Sequence, residues 1–186
     1  VILEITFLQI LISFFGKHWK SRGKKPSDFS LAEQFFALRK YPQDTLRAPR
    51  LSDLENAEVL SDMEKALDRL FQAREKKESL LIFGDFDLDG ASGTALLYLT
   101  LKHLGFRVFP KLPSREEGYG LSSSVYDLAK KHNISLVITV DCGSSNTDAV
   151  AYGNSLGIET IITDHHTLPE KHPPSVALLH PHRGKK

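Results

Sequence analysis

The sequence is poor in several residue types, and each shortage excludes a class of protein. Among 186 residues there is one cysteine, Cys142, so an internal disulfide is excluded and a reducing compartment such as the cytoplasm is expected. The 24 Lys and Arg residues nearly balance the 23 Asp and Glu residues, so overall charge gives no attraction to nucleic acid or to a membrane. Any partner of that kind must meet a local group of charges.

A long apolar run is also missing. The opening segment, VILEITFLQILISFF, is too short for a transmembrane span and contains Glu4 and Gln9. It has neither the basic start nor the small-residue cleavage site of a signal peptide. We therefore predict an amphipathic helix or a buried segment. A membrane-surface anchor formed by residues 1–25 is the alternative, because basic residues follow the aromatic ones there.

The residues that are present suit a globular domain. Apolar residues make up 41% of the chain, which is enough to bury an ordinary core. Residues 17–30 are basic and polar, contain Gly23 and Pro26, and are typical of a linker. We therefore expect an N-terminal helical segment with a basic linker over residues 1–45, and a globular domain over residues 46–186.

Strand-like and helix-like patterns alternate along the rest of the chain. This alternation predicts an α/β fold, a mostly parallel β-sheet flanked by helices, with an N-terminal helical appendage. The predicted strands are Leu80–Phe83, Phe106–Phe109, Leu136–Val140, Glu159–Thr163 and Val176–Leu179. Before them, a long amphipathic helix is predicted from an N-cap at Asn56 to about Ala73. Its apolar residues, among them Val59, Leu67 and Phe71, are expected in the core.

The stretch LLIFGDFDLDG is a short apolar run that ends in three aspartates spaced two residues apart. Alternate residues of an extended chain face the same way, so Asp85, Asp87 and Asp89 are expected to present their carboxylates on one side. Carboxylates this close repel each other unless a cation lies among them, and oxygen ligands suit a hard divalent cation. A polar turn explains one such aspartate but explains three in phase poorly.

A calcium-binding EF-hand loop also begins with D-x-D-x-D-G. Counted from Asp85, the twelfth position is Leu96, where that loop needs a bidentate glutamate. A strand-like run, and not a helix, precedes the aspartates. We therefore set the EF-hand alternative aside.

Chemically unusual residues also follow two further predicted strands. Asp141 follows the third strand, and Asp164, His165 and His166 follow the fourth. In open parallel sheets ligands bind beyond the carboxyl ends of the strands, so three distant segments are expected to meet in one cleft. Four carboxylates there suit two divalent cations, and two ions ~3.5–4 Å apart suit phosphoester hydrolysis. Imidazole among carboxylates favours Mn²⁺ over Mg²⁺.

The segments LIFGDFDLDGASGTALL, SREEGYGLS, VITVDCGSS and IITDHH resemble successive motifs of the DHH phosphoesterase superfamily. Other branches open with a histidine before D-x-D, whereas this chain has a third aspartate and EGYGL, which makes it similar to the RecJ branch. The resemblance covers about residues 46–183. It implies a two-metal phosphoesterase, a 5′→3′ exonuclease that acts on single-stranded DNA in DNA repair and recombination.

The resemblance also implies roles for individual residues. The expected metal ligands are Asp85, Asp87, Asp89, Asp141 and His165, with Asp141 shared by both ions. The expected catalytic group is Asp141, Asp164 and His166, in which Asp164 orients the histidines. The residues expected to bind the DNA strand are Arg115, Tyr119, Ser144, Ser145 and His166, with Asn146 beside them.

Two features depart from the family pattern. Cys142 stands where RecJ proteins usually have asparagine. The family's further aspartate motif and its oligonucleotide-binding domain do not occur before Lys186. The catalytic domain is therefore expected to be incomplete and to hydrolyse DNA poorly, unless His180 or His182 completes the metal site. A DHH phosphodiesterase for short oligonucleotides or dinucleotides, and an inactive module that binds metal or nucleic acid, are the alternatives.

Overall fold

The computed structural model describes residues 51–54, 56–114 and 116–183. The chain divides between Leu54 and Glu55 into two units. A short 3₁₀ turn, Leu51–Asp53, belongs to the first unit, and all the elements described below belong to the second. The features predicted for residues 1–50 lie outside the described residues, and the predicted domain boundary at residue 45 stays a prediction.

The second unit alternates helices and strands as expected. Its α-helices are α1 Met63–Glu75, α2 Leu88–His103, α3 Ser123–Lys131 and α4 Thr147–Ser155. Its strands are β1 Ser79–Gly84, β2 Arg107–Lys111, β3 Ile134–Val140, β4 Glu159–Thr163 and β5 Ala177–Leu179. Each predicted strand is present, with bounds within two residues of the prediction. Within the described ranges, no helix is long and apolar enough to cross a membrane.

The five strands form one parallel sheet in the order β2-β1-β3-β4-β5, which confirms the predicted fold class. The chain adds β2 on one side of β1 and then returns to add β3 on the other side. Right-handed connections place the helices of these two directions on opposite faces of the sheet. A crevice therefore opens where the loops after β1 and β3 diverge, beyond the carboxyl ends of these strands.

Two apolar layers enclose the sheet. Leu80 and Ile82 of β1 belong to the layer under α1 and α2, whereas Leu81 and Phe83 belong to the layer under α3 and α4. Both faces of β1 are therefore buried, which explains why its sequence is a continuous apolar run. The central strand is thus held firmly from both sides just before the first aspartates.

The helix before β1 begins later than predicted. Asn56 does act as a cap, but its side chain accepts a hydrogen bond from the Glu58 amide in a 3₁₀ turn, Ala57–Val59. Leu60 then has an extended backbone, which interrupts the helical pattern, and α1 starts only at Met63. The prediction of one continuous helix from Asn56 is therefore wrong.

The side of α1 that faces the sheet also differs from the prediction. Val59, Leu67 and Phe71 were expected in the core, yet their side chains are 56%, 44% and 56% exposed. The residues of α1 that are buried are Ala66, Arg69 and Ala73. Small alanines allow the helix to lie close to the sheet, and the arginine is buried because acidic partners surround it.

Arg69 connects α1 with two strands. Its Nη2 donates to Glu78 Oε2 at 2.6 Å and its Nε donates to Glu159 Oε2 at 2.6 Å. The Ser135 hydroxyl donates to the same Glu78 oxygen at 2.5 Å. Loss of the guanidinium would leave two carboxylates without their shared cation at the amino-terminal edge of the sheet.

Arg69→Met should therefore lower the free energy of unfolding by about 3 kcal/mol, the low end for breaking a buried ion pair, because Glu159 is half exposed. The measurement is urea denaturation of the purified chain. Arg74→Met, the same change at an exposed position of α1, is the matched control and should cost less than about 0.5 kcal/mol. Equal losses in the two variants would contradict the role assigned to Arg69.

Candidate metal centre

The hydrogen-bond ladder of the sheet continues one residue beyond three of its strands. In each case the first acidic residue after a strand donates its amide to a carbonyl of the neighbouring strand: Asp85 to Val140 at 3.1 Å, Asp141 to Thr163 at 2.9 Å and Asp164 to Leu179 at 3.2 Å. The backbone of all three acids is therefore positioned by the sheet itself. The predicted convergence of these segments on one edge is confirmed.

The turn after β1 places two of the aspartates. Asp85 is buried and its Oδ1 accepts from the Phe86 amide at 2.7 Å. Asp87 is the N-cap of α2, and its Oδ1 accepts from the Gly90 amide at 3.1 Å. A Cβ on Gly90 would lie 2.6 Å from the Asp85 carbonyl oxygen, so only glycine lets α2 begin this close to the strand end. Both carboxylates retain lone pairs for a further partner.

Asp141 is the most constrained acid of the site. Its φ of 62° lies in the left-handed region, which aspartate tolerates better than most residues. Its Oδ1 lies 2.8 Å from His165 Nε2, while its Oδ2 is buried without a hydrogen-bond partner in the described part of the chain. Burial, followed by the charges of Asp89 and Asp87, raises the pKa of Asp141. An orphaned, buried carboxylate oxygen of this kind fits a cation ligand.

Asp141 belongs to two groups of potential ligands. One group is Asp85, Asp87 and Asp141, and the other is Asp141, His165 and His166; within each group the ligand atoms lie within 4.8 Å of one another. Carboxylate oxygens with imidazole nitrogens suit Mn²⁺, and carboxylates alone also suit Mg²⁺. The residues present therefore fit a divalent cation, and their arrangement supports the shared role predicted for Asp141.

Asp89, a predicted ligand beside His165, lies outside both groups. Its side chain is 65% exposed, and its Oδ2 is 3.8 Å from His165 Nε2. His166, expected to face substrate, lies within reach of the second group. The predicted role of Asp89 as a ligand stays a prediction. The structure also excludes an EF-hand, because α2 begins at Leu88, inside what would be the calcium loop.

Both carboxylate oxygens of Asp164 are occupied by the protein. Its Oδ1 accepts from the amides of His165 and His166 at 2.7 and 3.1 Å, and its Oδ2 accepts from the Ser144 amide at 2.9 Å. Burial opposes ionisation, but hydrogen bonds from Ser144 and His166 outweigh it and lower the pKa of Asp164 to about 2. These bonds support the orienting role predicted for Asp164.

His166 is held through its ring as well as its backbone. Its Nδ1 donates to Asp164 Oδ1 at 2.8 Å, because the carboxylate only accepts, and this bond raises the pKa of His166. The Tyr119 hydroxyl lies 3.2 Å from the same Nδ1, and the two rings meet edge to face. Burial raises the pKa of Tyr119 to about 12, so its hydroxyl stays protonated. The His166 Nε2 is left for a further partner.

An open cleft of about 680 Å³ lies beside the loop that follows β3, and Ser145 lines it. Leu121 and Asn146 also line this cleft, and the Asn146 Oδ1 accepts from the Leu121 amide at 3.2 Å. That hydrogen bond joins the loop that carries Tyr119, which is 57% exposed, to the loop that carries Ser145. Two of the predicted DNA-binding residues are therefore accessible on neighbouring loops.

A third predicted DNA-binding residue differs. Ser144 is 1% exposed, so its side chain does not line the cleft; its amide supports Asp164 instead. The serine was expected to bind the DNA strand, whereas the structure uses its backbone. Arg115 lies outside the described residues.

A second open cleft, of about 520 Å³, adjoins the imidazole side of the site. Asp89, Asp141 and His165 line one part of it, and the apolar part is formed by Leu60, Leu179 and Pro181. The second ligand group is therefore open to a molecule that approaches from the β5 side.

Sequence reasoning missed one residue that supports the site. His180 was considered as a reserve metal ligand, but it is fully buried and its Nε2 lies 2.7 Å from the His166 carbonyl oxygen. The signal available in the sequence was a histidine directly after the last strand. Its partner cannot be read from spacing, because the two residues are 14 positions apart and a long loop and β5 lie between them.

Comparison with known proteins identifies the family of this chain. The model of the DHH family, N-terminal domain, matches residues 79–186. The chain belongs to the DHH family. The match begins at the first residue of β1 and contains each acid and histidine of the two ligand groups.

Several curated proteins similar to this chain are named RecJ. The single-stranded-DNA-specific exonuclease RecJ of Haemophilus influenzae is 38% identical over 162 residues, which cover 86% of this chain and 28% of that protein. RecJ of Escherichia coli is 41% identical over 124 residues, or 66% of this chain and 22% of that protein. A crystal structure of exonuclease RecJ bound to manganese superposes with a TM-score of 0.66 at 33% identity, covering 72% of this chain and 34% of that one. The chain thus spans about a quarter of the length of these curated relatives.

Asp141→Asn should weaken Mn²⁺ binding in both ligand groups, because the changed residue is common to them. Asparagine tolerates the left-handed backbone of this position, so the change tests charge and not strain. Loss of a ligand should exceed the roughly 10–100-fold effect typical of losing a ligand's hydrogen-bond partner. Calorimetric Mn²⁺ titration measures it, with the exposed Asp68→Asn on α1 as control. If the variant bound two ions as tightly as the parent, the shared role would be wrong.

Proposed function

We propose that this chain is the catalytic part of a two-metal, RecJ-like 5′→3′ exonuclease that hydrolyses phosphodiester bonds of single-stranded DNA. The observation that carries the proposal is the position of Asp141 in two adjoining ligand groups at the crevice between β1 and β3. Family membership supports phosphoester chemistry, and the relatives' name, single-stranded-DNA-specific exonuclease, supports the substrate. The cytoplasm stays the expected compartment.

Manganese is the proposed metal, with magnesium as the alternative. The second ligand group contains the His165 imidazole, which favours Mn²⁺, and a solved RecJ structure contains manganese. Two divalent cations, when bound, would lower the pKa of an attacking water and stabilise charge on the attacking and leaving oxygens. The protein's own part is to hold Asp85, Asp87 and Asp141 at the strand ends and to position the histidines through Asp164.

The histidine turn supplies the proposed contact with the scissile phosphate. Asp164 fixes the His166 ring through Nδ1, so the other ring nitrogen keeps one direction. Tyr119 limits rotation of the same ring from the opposite loop. Along the cleft at Ser145, the exposed loops offer hydroxyl groups and space for the following nucleotides, and Arg115 in the loop before Tyr119 is proposed to contact phosphate.

A 5′-labelled single strand with Mn²⁺ tests the function directly. We expect label to be released as a short product by this chain or by a form extended downstream, and to be lost in Asp141→Asn but not in Asp68→Asn. Release from dinucleotides but not from long strands would replace this function with that of a small-substrate phosphodiesterase. DNA binding without release in either form would indicate a binding module.

His166→Ala should reduce kcat by roughly 10²–10³-fold, the usual effect of removing one group that stabilises charge in the transition state. Mn²⁺ affinity should fall less than in His165→Ala, because Nδ1 of His166 is already bonded to Asp164. The two variants are a matched pair on adjacent residues, compared by single-turnover cleavage and by Mn²⁺ titration. A larger loss of Mn²⁺ affinity in His166→Ala would make His166 a ligand and remove its assignment to phosphate.

A further inference from the structure

His180 lies directly after β5 and is completely buried. Its Nε2 is 2.7 Å from the His166 carbonyl oxygen, and its Nδ1 lies 3.2 Å from the amide nitrogen of His182. Both ring nitrogens therefore face backbone groups. The ring fills the space between the end of the last strand and the histidine turn that follows β4.

These two contacts determine which nitrogen carries the proton. A carbonyl oxygen only accepts, so Nε2 must donate a proton to His166. A backbone amide only donates, so Nδ1 must accept from His182 with its lone pair. The ring therefore has its proton on Nε2 and no lone pair left for a metal. The expectation that His180 completes the metal site is wrong for this reason.

The hydrogen bond from His180 to His166 adds to other hydrogen bonds that hold the histidine turn, residues 164–166. The amides of His165 and His166 are held by the Asp164 carboxylate, and the Asp164 amide is held by Leu179 of β5. The His180 ring then holds the carbonyl at the far end of the turn. Rotation of that peptide would otherwise change the backbone of His166, whose ring lies 2.8 Å from Asp164 and next to the His165 ring that contacts Asp141.

We propose that His180 is a positioning residue that keeps the His165–His166 turn in its ligand geometry by donating from Nε2 to the His166 carbonyl. This role rests on the metal centre of the proposed function. Partners of this kind, which orient a ligand without touching the metal, typically contribute roughly 10–100-fold to metal affinity. The end of β5 and the residue after it would thereby act on the site through the Leu179 carbonyl and the His180 ring.

A pair of substitutions separates the two contacts of the ring. The amide nitrogen of glutamine reaches about as far as Nε2, so His180→Gln can still donate to His166. Asparagine reaches only about as far as Nδ1, so His180→Asn can accept from His182 but loses the donor. Mn²⁺ titration should give a roughly 10–100-fold loss of affinity in the second ligand group for His180→Asn, and a loss of no more than a few-fold for His180→Gln. His172→Asn, at an exposed histidine of the preceding loop, should leave Mn²⁺ binding unchanged.

Thermal melting and NMR of the parent make the test independent of how well the variants fold. A ¹H–¹⁵N spectrum of the metal-free parent should show the His180 proton on Nε2 with slow solvent exchange. Three results would each overturn the role of His180. The first is equal Mn²⁺ affinity in His180→Asn and the parent, and the second is an equal loss of affinity in both variants that follows their melting temperatures. The third is a proton on Nδ1. If the parent itself bound no Mn²⁺, the proposed function would fail and this inference with it. Normal Mn²⁺ binding by His180→Asn would remove the inference alone.

Discussion

Repulsion among carboxylates at the ends of parallel strands is the constraint on which this structure depends. Asp141 is buried and lies near the charges of Asp89 and Asp87, and both conditions are unfavourable for a carboxylate without a counter-ion. Its left-handed backbone conformation adds a further cost. The sheet stabilises this arrangement in two ways. Its backbone hydrogen bonds continue through the acidic residues, and two apolar layers pack against β1 next to them. Packing in the core thereby stabilises an arrangement of charge that is unfavourable by itself.

Two aspartates after neighbouring strands show how environment assigns chemistry. Asp164 accepts from three backbone amides and one ring N–H, which satisfies its charge within the protein and lowers its pKa to about 2. Asp141 has histidine nitrogens at 2.8 and 3.9 Å from one oxygen, its other oxygen is orphaned, and its pKa is raised. The first carboxylate is therefore suited to orient its neighbours, and the second to bind a cation.

The two edges of the sheet have different roles: residues at the amino-terminal edge stabilise the fold, and residues at the carboxyl-terminal edge form the candidate metal centre. Arg69 pairs with Glu78 and Glu159 near the start of the strands, where this ion pairing holds α1 to the sheet. At the opposite edge Asp141 keeps an orphaned oxygen, and the clefts beside Ser145 and His165 open there. This division is expected of an open parallel sheet, whose ligands bind at the carboxyl ends of its strands.

The sequence alone determined the order of the elements, the buried strand β1 and the placement of Asp85, Asp141 and Asp164 at strand ends, because local periodicity and parallel connections dictate these features. Tertiary structure decided the rest. The side of α1 that faces the sheet depends on the position of the acidic partner of Arg69. Ser144 is buried where its amide donates a hydrogen bond to the Asp164 carboxylate. The position of Asp89 outside both ligand groups, and the contact of His180, likewise arise between segments far apart in sequence. The hydrogen-bond partners and the packing of these residues come from tertiary contacts, which the spacing of residues in the sequence does not predict.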